Sequence, residues 1–599
     1  MKTVSYIVCL CILAPSPGIM GTAMASDADK KVFFGDLHLH TRYSNDAFFL
    51  TTEVDLDDAY RYARGEAVNL GDGKSVQIDT PLDFLAVTEH AENLGALQSF
   101  TNPGHPLYDH PEFGRLLRST NSDDRMKAWF TFLAAQRNGE TLEGFDELAL
   151  RKSVWSVIVE SADRHNDPGR FTTFAAYEWT AYINGGNLHR NVIFKSANGT
   201  ELPFSANDSN SPEDLWTYLE AVAENGSETL AIPHNSNVSD GRMFTTRNSL
   251  GQPIDESYAG RRSRHEPVVE ITQNKGTSET HPLLSPGDSF SSFEIFSNLI
   301  GAQSRVGRIE GSYVREGLLL GVDAEAGRGF NPLMFGFVGS ADSHGGYSFV
   351  EEDNVNGFAG PDYDFTPESR WGRQLWNGLP YASLSASGVT GVWAETNTRE
   401  EIFEAIERRE TYATTGPRIR VRAFAGWDFT PEILKRAGWV SEAYANGVPM
   451  GRVMTQRPDG QSPRLLVWAV KDPNGANLDR IQIIKGWSDS GTQKTKIFDV
   501  ALSDGRVVDK DGLVEAVGNS VDVAQATYTN DIGAVELKTV WTDPDFNPEV
   551  PAFYYVRVIE IPTPRWSTYD AAALKADIPE ELPASIQERA FASPFWYRP

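Results

Sequence analysis

The run Phe34-Gly35-Asp36-Leu37-His38-Leu39-His40, with Asp46 close behind it, begins a series in which apolar stretches end on histidine or acid. In an extended segment residues i and i+2 share a face, so His38 and His40 can address one ion while Leu37 and Leu39 turn to a core. The same pattern recurs down the chain. Leu82 to Thr88 runs into Glu89-His90, Phe174 to Tyr177 runs into Glu178, and His189 sits in Leu188 to Phe194. His234 closes Leu230-Ala231-Ile232-Pro233, and Asp342 with His344 closes Phe335 to Ala341. Of the 11 histidines, those at 38, 40, 90, 189, 234 and 344 lie in these places. A chain using histidine only for solubility would scatter it, whereas imidazole and carboxylate at the ends of successive strands build a metal site. For His189 the alternative of a hydrogen-bonded core histidine stands. Asp36 shares the face of His38 and His40 and could ligate, but is expected instead to orient a ligand imidazole. His105, His110, His165, His265 and His281 read as surface or loop histidines. His105 and His110 fall in an insertion that could cover the site.

These residues resemble the motifs of the PHP (polymerase and histidinol phosphatase) superfamily of metallohydrolases: an HxH followed by an acid or His, a pair ending in His, a Glu, two separate His and a final DxH. The stretches Val269 to Glu279, Gly339 to His344 and Tyr412 to Gly416 resemble its DUF3604 branch, large exported relatives of unassigned activity. The resemblance runs by motif from about residue 31 to 420. It implies a distorted (β/α)7 barrel and two to three divalent ions, Zn, Mn or Fe. His38, His40, Glu178 and Asp342 would hold the first; Glu178, bridging, with His189 and His234 the second; Asp46, His90 and His344 the third. Some relatives carry His where Asp46 stands, which would make the third site harder and more tolerant of Mn²⁺. Many read Asp-His where this chain has Glu89-His90, leaving open whether Glu89 orients its neighbour or touches metal.

The resemblance implies hydrolysis, with Glu178, Asp342 and His344 at the catalytic core. Two cations sharing Glu178 would hold a bridging water, lower its pKa towards neutrality and stabilise the charge that develops on the substrate. Phosphate esters are the substrates the superfamily implies. Arg42, Arg190 and Arg315 are candidates to grip an anionic oxygen, each with a structural ion pair as the alternative. A pocket of Tyr177, Trp179 and Tyr182 would instead favour an amide, ester or lactone. A non-catalytic, metal-stabilised binding protein is the third reading. Other chemistries lack their motifs: there is no Gly-x-Ser-x-Gly elbow, Val68 replaces the first glycine of a P-loop ending Gly73-Lys74-Ser75, and Pro267 follows His265-Glu266 where a zincin helix would continue.

Met1-Lys2, the apolar stretch Val4 to Ala14 and the small-residue run Gly21 to Ala25 form an export signal, too short to span a bilayer, with cleavage expected after Ala25. Both cysteines, Cys9 and Cys11, lie within it. A chain cut there has no disulfide and no thiolate ligand, leaving N and O donors only. The net charge of −28 suits a soluble periplasmic or secreted protein with a small-molecule substrate, and disfavours nucleic acid or an anionic membrane as partner.

With 599 residues the chain exceeds one hydrophobic core. From 26 to 415, short Val/Ile/Phe-rich runs alternate with helical stretches such as Pro212 to Ala223 and Thr398 to Arg409, which argues for an α/β barrel. From 416 to 599, alternating runs such as Leu465 to Val470, Arg480 to Ile484 and Phe553 to Val558 between turns predict a β-sandwich. Trp541 and Trp566 there are expected to pack in a core. The long segments between His90 and Glu178, with a helix around Met126 to Arg137, and between His234 and Asp342 are expected to form lids or pocket walls.

Overall fold

The computed structural model describes residues 30–599 apart from 72, 106–107, 112, 139–145, 199, 301–304, 361–363, 375–379 and 511. The expected leader, with Cys9 and Cys11, lies outside the described residues. The fold is mixed α/β around one large mixed sheet. Its strands are β1 (Lys31–Asp36), β2 (Phe84–Ala86), β3 (Thr172–Trp179), β4 (Arg190–Phe194) and β5 (Thr229–Pro233). Two further strands, β6 (Val268–Gln273) and β7 (Gly336–Gly339), stand in a separate small sheet. The large sheet resumes with β8 (Val389–Ala394), β9 (Thr411–Thr414), β10 (Leu478–Asp489), β11 (Thr492–Leu502), β12 (Ala552–Glu560), β13 (Arg589–Ala592) and β14 (Phe595–Tyr597). The order is β11-β10-β12-β13-β9-β8-β1-β2-β3-β4-β5, with β14 on β12.

The boundary expected at 415/416 does not interrupt this sheet, because β13 pairs with β9 and β12 pairs with β13. The late strands therefore extend the first half's sheet, where a separate sandwich was expected. A second sheet of Gly447–Pro449, Arg420–Gly426, Arg464–Val470 and Glu536–Thr542 packs in the same region. Alternation alone could not reveal this, since an in–out pattern fixes which face is buried and leaves the partner strand open.

β1, β2 and β3 run parallel, then β4 turns antiparallel to β3 and β5 antiparallel to β4. The pleat sorts the side chains. Phe174 and Ala176 on β3, Ile193 on β4, and Leu230 and Ile232 on β5 join Leu37, Phe84, Ala86, Val268 and Val338 in one buried cluster. Ile402 and Phe403 close that cluster from the helix Arg399–Glu407, whose start is capped by the Thr398 hydroxyl accepting from the Glu401 N–H at 3.3 Å. The helices Ser122–Arg137 and Pro212–Glu224 form where the sequence predicts them. Among the described residues no helix is long and apolar enough to cross a membrane.

Candidate metal centre

The site sits at one end of the inner apolar cluster, and the backbone staples its parts together. Beyond β1 the chain pairs with the segment beyond β7: His40 N–H donates to Ser343 O at 2.9 Å and Asp342 N–H to His38 O at 2.8 Å. Beyond β2, Glu178 N–H donates to Glu89 O and Ala91 N–H to Glu178 O, each at 2.9 Å. Glu178, His189 and His234 lie on the pleat face that carries Ala176, Ile193 and Ile232, so the same alternation that builds the apolar floor aims all three at the cluster. His189 enters at the start of β4 instead of a strand's end because β4 runs antiparallel to β3.

All nine expected ligands meet. His40 Nε2 lies 3.1 Å from Glu178 Oε2, and His38 Nε2 lies 3.4 Å from Asp342 Oδ1. Glu178 Oε1 faces His189 Nδ1 at 2.7 Å and His234 Nε2 at 3.2 Å. Asp46 Oδ2 faces both His90 Nε2 at 3.1 Å and His344 Nε2 at 2.9 Å, while His90 Nδ1 reaches Glu178 Oε2 at 3.1 Å. Three ligand triads, His38/His40/Asp342, His38/Glu178/His234 and His40/His90/His344, each hold their donor atoms within 4.8 Å of one another. Two donors on one tetrahedral ion stand about 3.4 Å apart. The decisive feature is negative: among the described residues the buried atoms His38 Nε2, His40 Nε2 and His189 Nε2 make no hydrogen bond, the first two facing carboxylate oxygens without hydrogen-bond geometry. Leaving several polar atoms buried and unpaired costs free energy unless a ligand takes them, so the donor set fits divalent cations.

Electrostatics readies the oxygens. Burial would raise Glu178, but His90, His189 and His234 hold its carboxyl well below the usual range. Asp46 is likewise held low against burial by His344 and His90, and Asp342 by His38 and Lys275. Burial opposes charge on His38, yet Asp342 and Glu270 outweigh it and lift the imidazole to about 10. Burial takes His189 down to about 4.

Comparison with known proteins gives the chain a family. The sequence model of DUF3604, described as a protein of unknown function, matches residues 27–599. The chain belongs to the DUF3604 family. No curated protein matches the chain. Among solved structures it is similar to a two-domain protein from Bacteroides vulgatus ATCC 8482 containing a predicted PHP-like metal-dependent phosphoesterase. That similarity has 12% identity and a TM-score of 0.28, over 86% of this chain and 96% of that one.

Several expected partners of the DUF3604 cluster lie elsewhere. Arg190 follows His189 on β4 and so points to the opposite face, where its Nε donates to buried Glu266 at 2.9 Å. Arg315 binds Glu279 at 2.6 Å and Asp288 at 2.8 Å, and Arg42 faces Glu53 at 3.5 Å. Tyr177 and Trp179 flank Glu178 and therefore point away from it into the core; Tyr182 alone of that trio lines the cleft, its ring centroid 4.6 Å from that of His189. Asp36 orients backbone: it accepts from His38 N–H at 3.0 Å, Ala341 N–H at 3.1 Å and the Ser348 hydroxyl at 2.5 Å. Glu89 stands one hydroxyl away from His40, accepting from Ser44 Oγ, which lies 2.9 Å from His40 Nδ1. His105 and His110 pack beside Phe100 and Phe113. His165 faces Asp57 from a helix end, while His265 is buried on Glu220, a core position where a surface or loop histidine was expected. Trp566 is buried with Nε1 donating to Leu384 O, and Trp541 packs on Phe498.

Other residues complete the site. Glu270 Oε2 holds His38 Nδ1 at 3.0 Å, fixing that ring with Nε2 aimed at the cluster. Lys275 Nζ and Gln273 Nε2, the latter at 2.7 Å, both donate to Asp342 Oδ2, and Lys275 and Asn235 line the cleft. Asp342 and Asn235 adopt left-handed backbone, φ 51° and 53°, a conformation costing about 1–3 kcal/mol that surroundings must impose. The readable signal for Glu270 was a lone acid inside the apolar run Val268-Val269-Glu270-Ile271.

Proposed function

We propose that this DUF3604 chain is an exported metal-dependent hydrolase with a trinuclear centre in a distorted seven-stranded PHP-type barrel spanning residues 26–415, followed by the β-rich region 416–599. The observation that carries it is the convergence of the buried His38 and His40 Nε2 atoms, neither with a hydrogen-bond partner among the described residues, on ionised Glu178 and Asp342. His38, His40, Glu178 and Asp342 would hold one ion, Glu178, His189 and His234 a second, and Asp46, His90 and His344 a third, drawn from Zn, Mn or Fe. Bound cations would lower the pKa of a coordinated water and offset the negative charge that develops on the substrate.

The chain's own groups supply the rest. Glu270 fixes His38, Ser44 fixes His40, and Lys275 with Gln273 fixes the Asp342 carboxylate. Lys275 also faces the cleft, where its ammonium can neutralise an anionic substrate oxygen, which supports a phosphoesterase acting on a small molecule. Export rests on the leader-like segment ending at Ala25, and the acidic net charge supports a protein without nucleic-acid or membrane partners.

A second reading has its own support. Arg42, Arg190 and Arg315 are all turned to other carboxylates, and Tyr182 and Ile300 line the cleft, which favours an amide, ester or lactone at the same centre. A metal-supplemented screen of phosphate mono- and diesters against carboxylic esters, amides and lactones separates the two. Phosphate release that EDTA abolishes without unfolding the chain supports the first; turnover of carbon substrates alone replaces it with the second.

A further inference from the structure

A cavity of ≈ 240 Å³ opens where the two halves of the chain meet, beside Gly416-Pro417. Carboxylates of Asp79, Glu351, Glu352, Asp472, Glu560 and Glu588 line it, and Arg418 is the basic residue among its lining. Glu560, at the end of β12, is 1% exposed, and neither of its carboxylate oxygens has a hydrogen-bond partner among the described residues. Glu588 is 2% exposed; its Oε2 accepts from the Thr415 hydroxyl while Oε1 is unpartnered. Glu351 Oε2 and Thr563 Oγ1, also buried in the lining, have no partner among the described residues either.

The nearby cations are engaged with other acceptors. Arg418 donates to the carbonyls of Thr80 and Pro81, Lys471 to those of Asp472 and Gly475, and Arg565 to Glu294 and the Leu384 carbonyl. A carboxylate buried without donor or counter-ion is expensive, so it either takes a proton or holds a cation. Burial outweighs Lys471 near Glu560, and Thr415 with Arg589 near Glu588, pushing Glu560 well above the usual range and Glu588 up to about 8.

We propose that this cavity is a binding site for a hard divalent cation, Ca²⁺, held by Glu560 and Glu588 with oxygens from the neighbouring lining. The unpartnered donors are carboxylate and hydroxyl oxygens without imidazole, the kind that suits Ca²⁺; the histidine cluster suits Zn, Mn or Fe. Because Glu560 and Glu588 come from the second half and Glu351 and Asp79 from the first, the ion would clamp the halves together, independently of what the histidine cluster does.

The test uses the full chain with its histidine cluster saturated with Mn²⁺, then dialysed against CaCl₂. The site predicts one further Ca²⁺ per chain, a rise in Tm of about 2 °C or more, and at least a tenfold loss of Ca²⁺ affinity in Glu560→Gln with Mn²⁺ content unchanged. Equal Ca²⁺ binding by parent and variant, or none by the parent, overturns it. If Glu560→Gln fails to fold, the parent decides alone: Tb³⁺ emission sensitised by Tyr528 and Tyr569 in the lining must appear and be displaced by Ca²⁺. No sensitised emission, or emission that Ca²⁺ leaves unchanged, overturns the proposal.

Discussion

Two buried charge clusters in this chain are built from opposite logic. In the first, Glu279 and Asp288 meet Arg315, Arg557 and Tyr555, and every carboxylate oxygen is answered. Glu279 Oε1 accepts from Arg315 and Tyr555 at 2.6 Å, its Oε2 from Arg557 at 3.0 Å, and Asp288 Oδ1 and Oδ2 from Arg557 and Arg315 at 2.8 Å. In the second, three acids meet six histidines and buried ring nitrogens are left over. The closed cluster ties the helix Val314–Arg328 to β12 and needs nothing more. The open one is incomplete as protein, and its donor atoms gather in triads within 4.8 Å of one another. Burial and charge are common to both, so what separates a structural network from a binding site is whether the donors and acceptors balance.

The largest contrast comes from removing one member of each. Glu178→Gln should cost about 4 kcal/mol of transition-state stabilisation, roughly 10³-fold in kcat/KM, while the chelator-treated variant unfolds no earlier than the chelator-treated parent. Arg557→Leu should do the reverse, costing about 3–5 kcal/mol of stability in urea unfolding, because Glu279 and Asp288 lose their main counter-charge. A Glu178→Gln protein that is badly destabilised without metal would put the open cluster in the structural class.

Smaller effects sharpen the same distinction. Glu270→Gln should weaken metal binding by roughly 10- to 100-fold, read by competition with a chelating dye, because His38 keeps its place in the cluster and loses its tether. Arg42→Ala should change stability by no more than about 1 kcal/mol, its pair with Glu53 being partly exposed, and should leave KM alone. An increase in KM would return Arg42 to the substrate site.

The smallest concerns pH. Burial together with Asp79 pushes Glu351 up to about 7, Arg418 opposing, and burial with Glu560 and Glu294 pushes Glu588 up to about 8 against Thr415 and Arg589. Carboxyls raised in the fold take up protons on folding, so their contribution is complete below about pH 4.5 and lost as pH rises through 7 to 8. The Tm of the Ca²⁺-free chain should therefore fall between pH 5.5 and 8, and added CaCl₂ should help more at pH 8.

The residues that meet in the cluster were legible because pleat alternation and strand ends are local: His38, His40, Glu178 and His234 could be picked out from runs a few residues long. The same rule, applied one residue further, would have excluded Arg190, Tyr177 and Trp179, which sit next to ligands and must face the other way. Lys275, Gln273 and Asn235 depend on how the segments after β5 and β6 meet Asp342, a long-range matter that spacing does not encode. The joining of β13 to β9 was hidden for that reason too, since strand pairing across 175 residues or so is a property of packing.

The central claim is that the histidine–carboxylate cluster is a metal centre, and elemental analysis of the purified full chain after supplementation with Mn, Zn or Fe addresses it most directly. The account predicts two to three of these ions per parent chain and a marked loss in Glu178→Gln. Less than one ion per folded parent chain would contradict it.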